Sequence, residues 1–286
     1  MLQLTNSGIR NKNENTEYNL LTDNFFDSSA FEEIIITPNH PQGWNPVNIR
    51  EDAMVEMNGN VPLFGDGSLM FATDTITNGQ DKADFQFLWQ VSSDTIDFPN
   101  RTLGNVSALN IAWYRDSAST TSPHFIPAVR LLFFDDGGTV GSPADDTFGL
   151  LIWEGVYNGI NPAPEDSWEL TDMINDNFWV YVQSSPGGSG VIQNYNSTLD
   201  DWINGNPTGI GGDPVISIGA NTYIIGINTG VGSGWGNSFI GYIDAFRINF
   251  GNDDDYLYNF EQCDIYQPNS NPDVIFDDSF ECFQFR

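Results

Sequence analysis

Cysteine is almost missing from this chain, with only Cys263 and Cys282 in 286 residues. Basic side chains are scarce as well: 9 Lys plus Arg stand against 39 Asp plus Glu, a formal net charge of −30. No stretch approaches the roughly 18 apolar residues that a membrane-spanning helix needs. Each shortage excludes something. No Cys/His cluster has zinc spacing. A surface this acidic repels phosphate backbones and lacks the basic patch required by nucleic acid or an anionic membrane, so neither partner, and no membrane insertion, is expected. Catalytic signatures are missing too. The sequence has no G-x-S-x-G elbow, no Walker loop and no H-E-x-x-H, and "GIGG" and "GVGSG" are glycine turns that precede no helical pattern. No organic cofactor is expected.

What is present is a strong aromatic and apolar content. Phe, Trp and Tyr make up 14% of the chain and charged residues only 17%, a balance that favours a packed core over disorder. From Phe25 onward the chain breaks into short β-branched or aromatic runs bounded by Gly, Pro, Asn or Asp. Among them are "FEEIIITP", "VNIREDAMVEM", "GSLMFATD", "ADFQFLWQV", "ALNIAWYRD", "AVRLLFFDD", "FGLLIWEGVY", "FWVYVQSS", "TYIIGINT" and "SFIGYIDAFRINF". In "DFQFLWQV", Phe85, Phe87 and Trp89 alternate with Gln86, Leu88 and Gln90, which predicts strands buried on one face. One short helix is predicted in "STLDDWINGNP", with a Ser or Thr cap, Leu199, Trp202 and Ile203 at helical spacing, and Gly205 and Pro207 as its stop. The fold class is therefore all-β, a two-sheet antiparallel sandwich or jelly roll over residues 23–250. A polar arm (1–22) precedes it and a tail (251–286) follows. The arm is a candidate for self-association, by adding a strand to a neighbour's sheet edge.

The two cysteines bracket "CDIYQPNSNPDVIFDDSFEC". Pairing them closes a loop worth roughly 3 kcal/mol in the chain-entropy model and persists only in oxidising compartments, so an exported, extracellular or cell-surface protein is expected. The opening residues "MLQLTNSGIRNKNENTEYNLL" show no basic region followed by an apolar one, so no leader is visible.

The run Phe239, Gly241, Ile243, Asp244, Arg247 and Ile248 resembles the closing-strand pattern F-x-G-x-I-D-x-x-R-I of concanavalin A-like, laminin-G-like jelly rolls. "GDGSLMFATD" resembles the G-S-L strand of such domains, and "LIWEGVYNG" with "WELTDMINDNFWV" resembles bacterial exported members. The resemblance covers roughly Phe25 to Phe250 and implies a fold shared by lectins, adhesins, glycosidases and polysaccharide lyases. It names no activity. "DVIFDDSFE" near the end resembles a terminal motif of exported proteobacterial proteins.

Three kinds of site are candidates. Sugar binding needs exposed aromatic faces, and Trp44, Trp168 and Trp235 stand in loop-like contexts, whereas Trp89, Trp113, Trp153 and Trp179 lie within strands and read as core. Calcium needs convergent oxygens. Asp135, Asp136, Asp145 and Asp146 flank a glycine-rich excursion, and Asp253 with Asp255 form a second acidic turn. Carbohydrate-cleaving chemistry needs paired carboxylates or a base with a carboxylate-neutralising partner. Glu51 and Asp52 are adjacent, which departs from the E-x-D-x-x-E pattern of jelly-roll glucanases. "EGVYNG" is similar to the tyrosine-bearing strand of jelly-roll alginate lyases, but their other motifs are absent. Only His40 and His124 exist. Glu154, Tyr157, His124 and Arg130 are the candidates for a dispersed catalytic site. The leading expectation is a non-catalytic glycan-binding or surface-ligand-binding sandwich stiffened by calcium, with a polysaccharide-degrading enzyme or a filament subunit as alternatives.

Overall fold

The computed structural model describes residues 31–74, 79–89, 100–137, 144–192, 194–205, 207, 218–251 and 254–263. These residues form two seven-stranded sheets packed face to face, the expected all-β sandwich.

The back sheet is organised around β13 (Phe239–Asn249). Along one edge it pairs with β6 (Ala108–Arg115), which in turn pairs with β9 (Trp168–Asp172). Its other edge is shared. The first half of β13 pairs with β4 (Ser68–Thr73) and, through it, β3 (Met54–Asn58); the second half pairs with β14 (Asp255–Phe260), which carries β1 (Glu32–Ile36) in parallel.

Asp244 sits where these partners change over and is fully buried. Its Oδ2 accepts from the Phe64 N–H at 2.9 Å, and its Oδ1 accepts from the Ala245 and Phe260 N–H groups at 2.8 and 3.0 Å. Those donors belong to the loop before β4, to β13 itself and to the end of β14. One carboxylate thereby satisfies three backbone donors, two of them fully buried, and Ala245 takes a left-handed φ of 50° at the accompanying bulge. Burial pushes the Asp244 carboxyl well above the usual carboxylate range, against the pull of the three donors. The Asp of the closing-strand motif is a clasp in the scaffold.

The front sheet runs β11 (Gly190–Ile192), β10 (Trp179–Ser184), β8 (Thr147–Trp153), β7 (Ala128–Asp135), β12 (Tyr223–Gly232), β5 (Lys82–Leu88), β2 (Trp44–Arg50). Its inward side chains, among them Phe85, Val129, Leu131, Phe133, Leu151, Val180 and Ile227, meet Phe71, Trp113, Phe239, Phe246 and Tyr258 of the back sheet in one continuous core. Phe85 and Phe87 point inward while Gln86 and Leu88 face out, as the alternation predicts. The helix forms as α1 (Leu199–Ile203), with Thr198 as its cap. Thr198 Oγ1 accepts from the Asp201 N–H at 3.2 Å while the Asp201 carboxylate accepts from the Thr198 N–H at 2.9 Å, and Leu199 and Trp202 are buried beneath.

Two expectations are corrected by this packing. The sandwich does not close at Phe250: Gly251, at φ 76°, turns the chain back, and β14 joins the sheet as a full member. Nor are Trp44 and Trp235 exposed. Trp44 is 1% accessible, with its ring 5.6 Å from Phe85, 5.2 Å from Tyr258 and 5.3 Å from Phe260. Trp235 stacks on Phe125 at 4.6 Å and meets Phe239 edge-on at 5.0 Å. Both indoles are core anchors whose burial outweighs the polar character of their sequence neighbours. The 1–22 arm, Asp253 and Cys282 lie outside the described residues.

Candidate functional site

The outer face of the front sheet gathers polar, aromatic and charged side chains from several strands. Strand register arranges them in rows running across the sheet. One row reads Asn45, Gln86, Asn228, Arg130, Ile152, Trp179, and the next reads Leu88, Gly226, Leu132, Leu150, Tyr181, Val191. On the other side of the first row, Asp84 lies opposite Gly230, which is opposite Ala128, and Lys82 lies opposite Arg50. Because outward side chains recur every second residue, polar, aromatic and charged groups from six strands share one surface.

Asp84 organises the polar part. Its carboxylate accepts from Arg130 Nη1 at 2.8 Å, from Lys82 Nζ at 2.9 and 3.0 Å, and from Asn48 Nδ2 at 2.9 Å. Arg130 Nη1 also donates to Asn228 Oδ1 at 2.6 Å. Gly230 makes this possible: a Cβ there would occupy the space taken by the Asp84 carboxylate. Burial, reinforced by the nearby Arg130 charge and opposed by Asp84, lowers the Lys82 ammonium to about 8.

Glu154 organises the aromatic part. As β8 ends it leaves the sheet, and residues Gly155–Asn158 coil into a 3-10 turn. Trp179 Nε1 donates to Glu154 Oε2 at 2.9 Å, which fixes the indole on the outer face. The turn is locked to the chain entering β10, because Asn158 Nδ2 donates to the Asn177 carbonyl at 3.1 Å and its Oδ1 accepts from the Asn177 N–H at 2.8 Å. Tyr157 therefore has a fixed position and stacks on Tyr195 with centroids 3.7 Å apart at 14°; Trp179 meets Tyr195 edge-on at 6.3 Å. Desolvation raises the Glu154 carboxyl, opposed by the Trp179 hydrogen bond and by the charges of Arg130 and His124. Burial, with the hydroxyl contact to Tyr195, raises the Tyr157 phenol.

Tyr157, Arg130 and His124 are thus each brought within electrostatic reach of Glu154, although His124 and Arg130 do not share a strand, since β7 begins only at Ala128. Glu51 and Asp52 lie in the turn between β2 and β3, with Glu51 at φ 52°. Trp168 is half-buried on the opposite side of the protein, on the outer face of the back sheet, beside Tyr114 at 5.7 Å.

The front-face residues that sequence reasoning passed over are Trp179, Tyr181, Tyr195, Lys82, Asp84 and Asn228. A signal for two of them was present in "WVYV", where Val180 and Val182 point to the core and Trp179 and Tyr181 alternate with them.

No protein-family model matches the chain, and no curated protein matches it. Among solved structures, it is similar to a family 11 carbohydrate-binding module of a Clostridium thermocellum cellulosomal cellulase. That match has a TM-score of 0.36 and 11% identity, over 72% of this chain and 87% of the other. It is also similar to the cellulose-induced protein Cip1, with a TM-score of 0.33 and 12% identity, over 78% of this chain and 94% of the other. A β-sandwich carbohydrate-binding module described as promiscuous in specificity aligns at a TM-score of 0.31 and 10% identity over 72% of this chain, which spans 56% of that protein. At these scores the likeness carries no functional argument, and the architecture rests on the strand pairing above.

The calcium expectation finds no cage among the described residues. Asp135 accepts from Thr222 Oγ1 at 2.6 Å and from the Gly137 N–H at 3.0 Å. Asp255 is held by Arg247 at 2.7 Å. No group of three or more His, Cys, Asp or Glu side chains in the described part, Asp136, Asp145 and Asp146 included, is arranged to hold a metal.

Proposed function

We propose that this protein is an exported, non-catalytic module that binds glycan on the outer face of its front sheet. The observation that carries this reading is the meeting of half-buried rings, Trp179, Tyr181, Tyr157 and Tyr195, with the side-chain amides of Asn45 and Gln86 on one outward sheet face, above the buried Asn228 and Arg130. Flat aromatic faces suit the apolar faces of sugar rings, while side-chain amides suit their hydroxyls. Export is supported by the acidic composition and by the proposed pairing of Cys263 with Cys282.

The test is retention on a panel of insoluble polysaccharides with newly released reducing ends measured in the same tubes. Wild-type protein is retained without release, and Trp179→Ala weakens retention by roughly 30-fold, the equivalent of about 2 kcal/mol for an aromatic anchor. Unchanged retention by that variant contradicts the site.

One observation favours a second reading, a polysaccharide-degrading enzyme. Glu154, raised by burial, stands in reach of Tyr157, Arg130 and His124, a set suited to proton transfer. Release of reducing ends that disappears in Glu154→Gln would establish that reading in place of the first.

A further inference from the structure

We propose that Lys82 and Asn48 join through an isopeptide bond, with Asp84 as the group that moves the protons. The bond stitches the edge strand β2 to its neighbour β5 without redox chemistry, and it does not depend on glycan binding.

Its basis is the placement of three side chains. Asp84 Oδ2 stands 2.9 Å from Lys82 Nζ and accepts from Asn48 Nδ2 at 2.9 Å, so one oxygen holds the attacking nitrogen and the leaving nitrogen together. Asp84 Oδ1 lies 3.0 Å from the same Nζ and accepts from Arg130 Nη1 at 2.8 Å, which fixes the carboxylate. The backbone delivers Asn48 to this point. Val47 lies opposite Asp84 and Arg50 opposite Lys82, so the register skips Asn48 and Ile49, and Asn48 takes a φ of 53° in the irregularity. A left-handed φ is uncommon for a residue other than glycine, and such positions gather at functional sites. The side chains of Lys82 and Asp84 are only 16% and 3% accessible. Burial, with the charges of Arg130 and Arg50 and against Asp84, lowers the Lys82 ammonium to about 8, so about one Lys82 in ten is a neutral amine at pH 7.

In the step itself, Asp84 takes a proton from the Lys82 ammonium, and Nζ attacks the side-chain carbonyl carbon of Asn48. Asp84 then passes the protons released by Nζ to Nδ2. As the new bond from Nζ to carbon closes, the bond from carbon to Nδ2 breaks and ammonium leaves. An ammonium and a carboxamide become a secondary amide and a free ammonium ion, so charge and protons balance with no oxidant, reductant or cofactor. Holding both nitrogens on one oxygen replaces a chance encounter with a fixed approach. Asn48 is exposed, so the ammonium escapes into solvent and the bond stays closed.

The test is the intact mass of the reduced, full-length protein after incubation at about pH 8, followed by tryptic mapping. The expected mass is about 17 Da below that of the sequence, the loss of one ammonia. Trypsin does not cleave after an acylated lysine, so residues 13–50 should remain joined to residues 51–101. Asn48→Gly suits the left-handed backbone and removes the carboxamide. That variant should show its own sequence mass and release residues 51–82 and 83–101 as separate peptides. A wild-type mass equal to that of the sequence would overturn the inference. A loss of about 17 Da with cleavage after Lys82 intact would place the ammonia loss elsewhere in the chain, as in a succinimide, and overturn it too. Neither result bears on polysaccharide retention, so the glycan-binding reading stands or falls separately.

Discussion

Glu261 makes the stability of this protein fall as pH rises. Its side chain is 2% exposed and fills the notch left by Gly65, where φ is 61° and no Cβ intervenes. One oxygen, Oε2, accepts from the Asp66 N–H at 2.6 Å, while Oε1 is buried without a hydrogen-bond partner among the described residues. Desolvation, outweighing these donors, lifts the carboxyl from 4.5 to about 7. Between those two pH values the folded protein keeps a proton that the unfolded chain has lost, so ionisation is linked to unfolding. A shift of about 2.5 units at 1.36 kcal/mol per unit corresponds to about 3 kcal/mol of stability present at low pH and lost by about pH 7. Asp244, also raised by burial, tilts stability in the same direction. Glu261→Gln removes the proton-linked part while preserving shape. Any fixed cost of burying the amide is the same at both pH values and cancels in the comparison. Urea unfolding of wild type and variant at about pH 5 and about pH 8 is the assay, with the wild type losing about 2.5 kcal/mol more than the variant between them, since pH 5 already lies above the unfolded-state value. Equal losses in both proteins would refute the reasoning.

Three further outcomes follow from the packing. Trp44→Ala removes an indole enclosed by four aromatic rings and should cost about 4 kcal/mol in urea unfolding; a loss below about 1 kcal/mol would contradict its place in the core. Gly230→Ala drives a methyl group into the Asp84 carboxylate, so it should destabilise by roughly 2 kcal/mol and weaken glycan retention together, and unchanged retention would separate Asp84 from the site. If Cys263 and Cys282 are paired, thiol titration of the denatured, unreduced protein finds no reactive thiol, and two thiols per chain would refute the pairing.

The fold was legible where local pattern and burial agree. Alternation in residues 85–89 gave the inward face of β5, and the cap at Thr198 gave α1, because both signals are local. Trp44 was misread because its partners Tyr258 and Phe260 come from the far end of the chain, while its immediate neighbours are Gly43 and Asn45. Period-2 alternation identifies two faces of a strand, but it does not say which face receives a second layer. That is why Trp179 read as core. The candidate site was partly visible: Glu154, Tyr157, His124 and Arg130 were singled out by residue type. Asp84 and Asn228 were not, since only the pairing of β5, β12 and β7 places them beside Arg130.

The central claim is that ligand binds the front face and not the back. The back sheet carries its own outward ring cluster, with Trp168, Tyr114 and Tyr242 at 5.7 Å spacings. The most direct measurement is retention of Trp179→Ala beside Trp168→Ala on whichever polysaccharide holds the wild type. Loss in Trp179→Ala with full retention in Trp168→Ala is the predicted result; loss in Trp168→Ala with Trp179→Ala intact would place the ligand on the opposite sheet and contradict the account.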